Sequence, residues 1–166
     1  MNETSTTAAR ILGPNDGDIM GAPDGVRDRF MVGRGDSRGG FALVEHLMAP
    51  RALAAPLHLH THEDEYSYVL AGRVGALLGD TEFVADVGHL IFKPRGQWHT
   101  FWNAGDEPAR VLEIISPAGL DDLFRELGAF GDAVDPETMA TLAARYGAQV
   151  DFERTFPIVE RHGLRF

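Results

Sequence analysis

Cysteine is missing from all 166 residues, and lysine nearly so, with position 93 holding the only one. Without thiols the chain can build neither a disulfide framework nor a thiolate metal site, so any bound metal must be held by imidazole and carboxylate. The redox compartment stays open on that ground. A long apolar run is missing too. Nothing approaches the roughly 18 residues of a membrane span, and the start of the chain, Met1 to Thr7, has no basic region followed by an apolar one. A soluble cytoplasmic protein with no membrane partner is therefore expected. Positive charge is also short: 15 basic residues against 25 acidic ones give a formal net charge of -10. That balance opposes a polyphosphate backbone, and no helix-turn-helix sequence is present, so nucleic acid is not an expected partner. The preference for arginine over lysine, together with abundant alanine, reads as codon usage without functional weight.

The length fits one domain with modest extensions. Residues 1–10 are polar and aperiodic and are expected to be disordered. Gly13 to Gly17 and Gly21 to Gly25 read as turns. Arg29 to Val32 and Phe41 to Met48 read as strands joined by the Gly-rich stretch Gly33 to Gly40, which lacks the following helix and Gly-Lys-Ser/Thr ending of a phosphate loop and reads as a flexible connection. From Leu57 to Ser116, short apolar runs separated by Gly, Asp, Pro or Asn predict an antiparallel sandwich or barrel, so residues 11–118 form the expected all-β unit. The tail differs. Leu120, Leu123, Phe124 and Leu127 recur at helical spacing, as do Met139, Leu142, Ala143 and Tyr146 after the cap-like Asp135-Pro136, with Gly147 as a stop. Residues 119–166 are thus expected to form a helical extension packed on the barrel or on a partner subunit.

Two stretches carry ligand-type side chains. Pro56, His58, His60, Glu65 and Gly72 form the first, and Gly88, Pro94, Gly96, His99 and Asn103 the second. Side chains two apart on a strand share a face, so His58 and His60 point the same way. A third imidazole and a carboxylate from neighbouring strands would close a cluster of nitrogen and oxygen donors around one divalent cation. Ser67 and Val69 share the parity of Glu65, and Phe101 that of His99, which makes these three the expected lining of an apolar cavity. His62 alternates with His60 but falls in a polar turn, Thr61 to Asp64, where Glu63 and Asp64 read as solvated. His46, His89 and His162 have no partner at ligand spacing and read as structural. Tyr66, Tyr68, Trp98 and Trp102 fall on the opposite parity and read as core or interface residues.

The two stretches resemble the two conserved motifs of the cupin superfamily, with every ligand position and the spacing kept. The resemblance covers about Phe41 to Ser116 and extends loosely to Leu120, in the manner of small bacterial cupins labelled quercetin dioxygenase-like. It implies a jelly-roll barrel (a double-stranded β-helix) and one divalent metal ion per subunit, held by His58, His60, Glu65 and His99. Iron, manganese, nickel, copper and zinc all suit such donors. It also makes Gly72, Gly88 and Gly96 turn residues. Three neutral imidazoles and one carboxylate would leave the ion one net positive charge and two open positions of an octahedron. The expected activity is a quercetinase-like dioxygenase acting on a small aromatic or enolisable substrate, with Glu65 both ligand and proton acceptor. Metal-dependent isomerase, cyclase or lyase chemistry, or a non-catalytic binding module, is the alternative. A homodimer is expected, since sheet edges need cover.

Overall fold

The computed structural model describes residues 8–130 and 134–166. Most of the expected disordered tail, residues 1–7, lies outside them; Arg10 does not, and its guanidinium grips both carboxylate oxygens of Asp36 at 2.7 Å. Among the described residues, alternating side chains build eleven strands in two sheets. In chain order they are β1 (Asp18–Gly21), β2 (Val26–Val32), β3 (Ala42–Met48), β4 (Leu57–His60), β5 (Asp64–Ala71), β6 (Arg73–Leu78), β7 (Thr81–Asp86), β8 (Leu90–Lys93), β9 (His99–Asn103), β10 (Ala109–Ser116) and β11 (Ala148–Asp151). One sheet runs β1-β2-β3-β10-β5-β8 and the other β11-β4-β9-β6-β7, with antiparallel pairing between neighbours. The described residues also hold four helical segments: a single turn α1 (Arg34–Ser37), then α2 (Leu120–Phe130), α3 (Pro136–Arg145) and α4 (Phe152–His162). The connection from Gly33 to Gly40 therefore holds a helical turn rather than a loose loop.

β5 shows how one strand serves two surfaces. Glu65, Ser67 and Val69 are buried inward while Tyr68 and Leu70 face solvent, the period-2 pattern of a half-buried strand. Register then decides which inward groups meet. Glu65 lies opposite Lys93 of β8, Ser67 lies between Ile91 of β8 and Glu113 of β10, and across β2 and β3 Asp28 lies opposite His46. Directly opposed side chains stand close enough to interact, so the pairing alone lays a row of charged residues along the inner face of the six-stranded sheet.

Apolar burial surrounds that row. Val69, Val74, Ile91, Phe101 and Val111 pack between the sheets. Leu120 and Leu123 of α2 press on Phe30, Val44 and Ile115 and meet Leu142 and Ala143 of α3. The first helical turn of α3 is set as its sequence suggests: the Asp135 carboxylate accepts from the Thr138 amide at 2.9 Å, with Pro136 leading the helix. Gly72, Gly88 and Gly96 take positive φ of 77°, 90° and 76°. At Gly72 the backbone of Ala109 also lies too close for a side chain to fit.

The region 119–166 is not helical throughout. After Gly147 the chain enters β11, which adds to the edge of the second sheet beside β4 and pairs Val150 with His58 and Ala148 with His60. α4 then locks β4 from the other side: Thr155 Oγ1 accepts from the Leu57 amide at 2.9 Å and donates to the Asp151 carbonyl at 2.6 Å. The extension packs on the barrel and buttresses the strand that carries two of the expected ligands.

Candidate metal centre

His58, His60, Glu65 and His99 converge. Each offers one donor atom, and these atoms all lie within 4.8 Å of one another. β4 supplies the first two rings, β9 places His99 directly opposite His58, and β5 brings Glu65 across from the other sheet. The Gly96 amide donates to the His60 carbonyl at 2.7 Å, so the loop before His99 is tied to the strand that carries the first pair. The ring centroids of His58 stand 4.7 Å from His60 and 4.3 Å from His99.

The tautomers follow from the carbonyls behind the rings. His58 Nδ1–H donates to the Pro56 carbonyl at 2.6 Å, and His99 Nδ1–H donates to the Gln97 carbonyl at 2.9 Å. A carbonyl can only accept, so in a neutral ring the Nε2 lone pair faces the centre. Burial holds both rings below the usual histidine range, reinforced at His58 by its two imidazole neighbours and opposed at His99 by Glu65. Burial works against ionisation of Glu65, but the Lys93 ammonium holds its carboxyl well below the usual range. The result is two lone pairs aimed at each other, His99 Nε2 and Glu65 Oε2, 3.2 Å apart. His60, 2 % exposed, has no hydrogen-bond partner at either ring nitrogen, which is rare for buried polar atoms. A divalent cation would take the facing lone pairs of His58, Glu65 and His99 together with one nitrogen of His60. The donor set therefore fits such an ion, and the nitrogen and oxygen chemistry excludes no member of the first-row series.

Behind Glu65 stands a residue that the sequence pattern did not mark. Lys93, 1 % exposed, bridges Glu65 Oε2 at 2.9 Å and Glu113 Oε2 at 3.0 Å, with its Nζ 4.4 Å from the centroid of the Phe101 ring. Ser67 Oγ donates to the same Glu113 oxygen at 2.6 Å. The two carboxylates raise the lysine against the lowering effect of burial, so the ammonium form is held. Charge thus alternates from the ligand carboxylate into the sheet.

A cavity of about 580 Å³ opens onto His58 and Glu65, within the usual range for small-molecule sites. Phe101 stands on its wall as its parity predicts. Ser67 sits behind Glu113, and Val69 packs in the inter-sheet core. Further lining comes from α2, α3, the first residue of α4 and the last residue, through Phe124, Leu127, Met139, Phe152 and Phe166. His46, which the spacing marks as structural, lines the cavity too, with Asp28.

The remaining histidines stay outside: His62 is exposed beside Thr61, His89 bonds Asp86, and His162 bonds Glu82. Asp64 pairs with Arg95 at the surface, but Glu63 departs from the solvated reading, being 6 % exposed with one oxygen unpartnered. Trp102 is buried against the core of the second sheet, whereas Tyr66 stacks on Phe92 on the outer face of the first.

His46 makes stability depend on pH. Burial would lower it, but Asp28 and Glu113 outweigh burial and push it up to about 10 from an ordinary 6.5. A raised folded-state value stabilises fully below the unfolded value and is lost as pH rises through the folded one. The contribution, on the order of a few kcal/mol, is therefore expected to fade between pH 6.5 and 10. Urea midpoints across that range should fall more steeply for the wild type than for Asp28→Asn, in which the pair is already weakened. Parallel profiles would refute this.

Comparison with known proteins agrees with the architecture. Residues 44–115 match the Cupin domain family. KdgF from Halomonas sp. superposes with a TM-score of 0.60 at 16% identity, over 69% of this chain and 99% of KdgF. The polyketide cyclase RemF from Streptomyces resistomycificus superposes with a TM-score of 0.57 at 25% identity, over 66% of this chain and 80% of RemF. Tetracenomycin polyketide synthase protein TcmJ from Streptomyces glaucescens is 35% identical over 60 residues, which span 36% of this chain and 40% of TcmJ. The chain has the all-β cupin fold, and the likeness supports the cupin superfamily. Among the described residues no helix is long and apolar enough to cross a membrane.

Proposed function

We propose that this cupin-fold protein is a metal-dependent enzyme for small, oxygen-rich aromatic or enolisable compounds, and that it promotes ring-forming or rearrangement chemistry of the polyketide-cyclase kind. One observation carries the reading: three imidazoles and a carboxylate converge, and two of them, His58 and Glu65, open onto a largely apolar cavity. The likeness to RemF and to part of TcmJ supports the substrate class. When bound at His58, His60, Glu65 and His99, a divalent ion would polarise a carbonyl and acidify a neighbouring hydroxyl of a chelating substrate.

The chain's own groups do the rest. The carbonyls of Pro56 and Gln97 fix the His58 and His99 rings, so the donors are oriented before the substrate arrives. Phe101, Phe124 and Phe152 offer flat apolar walls and keep water from the reacting atoms. Glu65 is the acceptor for a substrate proton. Because Lys93 holds it ionised at 2.9 Å, it is a weaker base than a free carboxylate and suits a substrate hydroxyl that is already acidic.

A dioxygenase reading draws on the same donors: an ion held by His58, His60, Glu65 and His99 would have only four protein ligands and could also take a substrate oxygen and dioxygen. Turnover with and without oxygen separates the two. Protein reconstituted in turn with iron(II), manganese, nickel, copper and zinc is supplied with flavonols, catechols, 1,3-diketones and linear poly-β-ketone mimics. The expected result is product of unchanged mass, or one water lighter, at equal rates in air and under argon. Substrate-dependent oxygen uptake would transfer the assignment to the dioxygenase, and tight binding without product would leave a binding module.

A further inference from the structure

The cavity has a second polar pole that this chemistry does not use. His46 of β3 and Asp28 of β2 are cross-strand partners on the inner face, and both stand on the cavity wall. His46 Nδ1–H donates to Asp28 Oδ1 at 2.7 Å. Its Nε2 lies 3.7 Å from Glu113 Oε2, past hydrogen-bond length. The Phe101 and Phe124 rings stand 5.6 and 5.9 Å from the imidazole, each tilted by 58°. The side chain is 7 % exposed.

A histidine buried only for packing has both nitrogens satisfied. Here one is held by the Asp28 carboxylate, which fixes the ring, and the other has only the Glu113 carboxylate at 3.7 Å, too long for a hydrogen bond, beside a cavity. That is the arrangement of a donor waiting for a ligand oxygen. The cavity also has apolar lining, with Leu53, Leu127, Met139, Phe152 and Phe166, which suits the faces of fused or linked aromatic rings.

We propose that His46 Nε2–H, aligned by Asp28, is the second anchor of the substrate and donates to a carbonyl or phenolate oxygen on the ring remote from the chelating pair. The site then selects multi-ring, polyoxygenated aromatics over single-ring chelators. This deepens the metal-site reading and rests on it. His46 is a specificity residue, and Asp28 is a positioning residue that acts through it.

The test uses zinc-loaded protein and 3-hydroxyflavone, which chelates through its hydroxyl and carbonyl, beside counterparts that carry one added hydroxyl on either outer ring. Affinities are read by absorbance titration. At least one added hydroxyl is expected to tighten binding to the wild type by about tenfold or more, the scale of a hydrogen bond to a charged group. That gain should shrink to less than about twofold in His46→Leu and be partly kept in His46→Gln, while zinc content and the affinity for 3-hydroxyflavone itself stay near wild type. Asp28→Asn should also reduce the gain, and it serves if the His46 variants fail to fold. A wild type indifferent to the added hydroxyls, or a gain that survives His46→Leu, overturns the second anchor alone. If 3-hydroxyflavone does not bind, or binds equally after zinc is stripped with a chelator, the metal-site reading falls and this inference with it.

Discussion

Lys93→Met is expected to destabilise the protein by about 3–5 kcal/mol, the cost of leaving a buried charge without its partner. The ammonium stands 2.9 Å from Glu65 and 3.0 Å from Glu113, and all three side chains are at most 3 % exposed. Methionine fills nearly the same volume but neutralises neither carboxylate. Glu113 already has one oxygen without a hydrogen-bond partner, so it has little with which to compensate. Urea unfolding of the metal-free proteins measures the effect, and a loss below about 1 kcal/mol would show that the pair titrates away its cost. Adding Glu113→Gln to Lys93→Met should recover part of the loss, because contacting charges are not additive. Metal loaded into the Lys93→Met protein should in turn restore more stability than it adds to the wild type, since the ion supplies positive charge to the carboxylate that lost it.

The sequence and the structure agree where the physics is local. Strands from β3 to β10 announce themselves through short alternating runs cut by Gly, Asp and Pro, and α3 through the Asp135 cap. The four donors are legible because strand parity and motif spacing carry them together. What was not legible depends on register between strands far apart in the chain. Nothing near His46 in sequence says that Asp28 stands opposite it, or that Glu113 reaches both it and Lys93. Lys93 carried one faint signal: it is the only lysine in a chain that otherwise uses arginine, at a buried position where a compact ammonium meets two carboxylates. β11 is four residues, Ala-Gln-Val-Asp, too short and too polar to read as a strand, and it exists because the edge of β4 accepts it. Glu63 reads as a turn residue from its neighbours and is buried all the same.

The second sequence motif combines two jobs, and a pair of substitutions should separate them. His99→Ala is expected to lower metal affinity by more than about 100-fold, beyond the 10–100-fold typical of losing an outer-shell partner, and to remove turnover with it. The ring is a donor at the centre, and its Nε2 faces Glu65 at 3.2 Å. Its removal leaves three donors, His58, His60 and Glu65, in place of four. Asn103, in the same motif and the same strand, does something else. Its amide donates to the carbonyls of Ala49 at 3.0 Å and Glu107 at 2.8 Å, and its oxygen accepts from the Gly105 amide at 2.9 Å. Asn103→Ala strands those backbone groups and should cost about 1–3 kcal/mol of stability while leaving metal content intact. Elemental analysis after gel filtration, set beside thermal melts of the metal-free proteins, reads both effects at once. If His99→Ala kept its metal, the centre would not be where four donors converge. If Asn103→Ala lost its metal at a temperature where it is still folded, the loop it ties would belong to the metal centre and not merely to the scaffold.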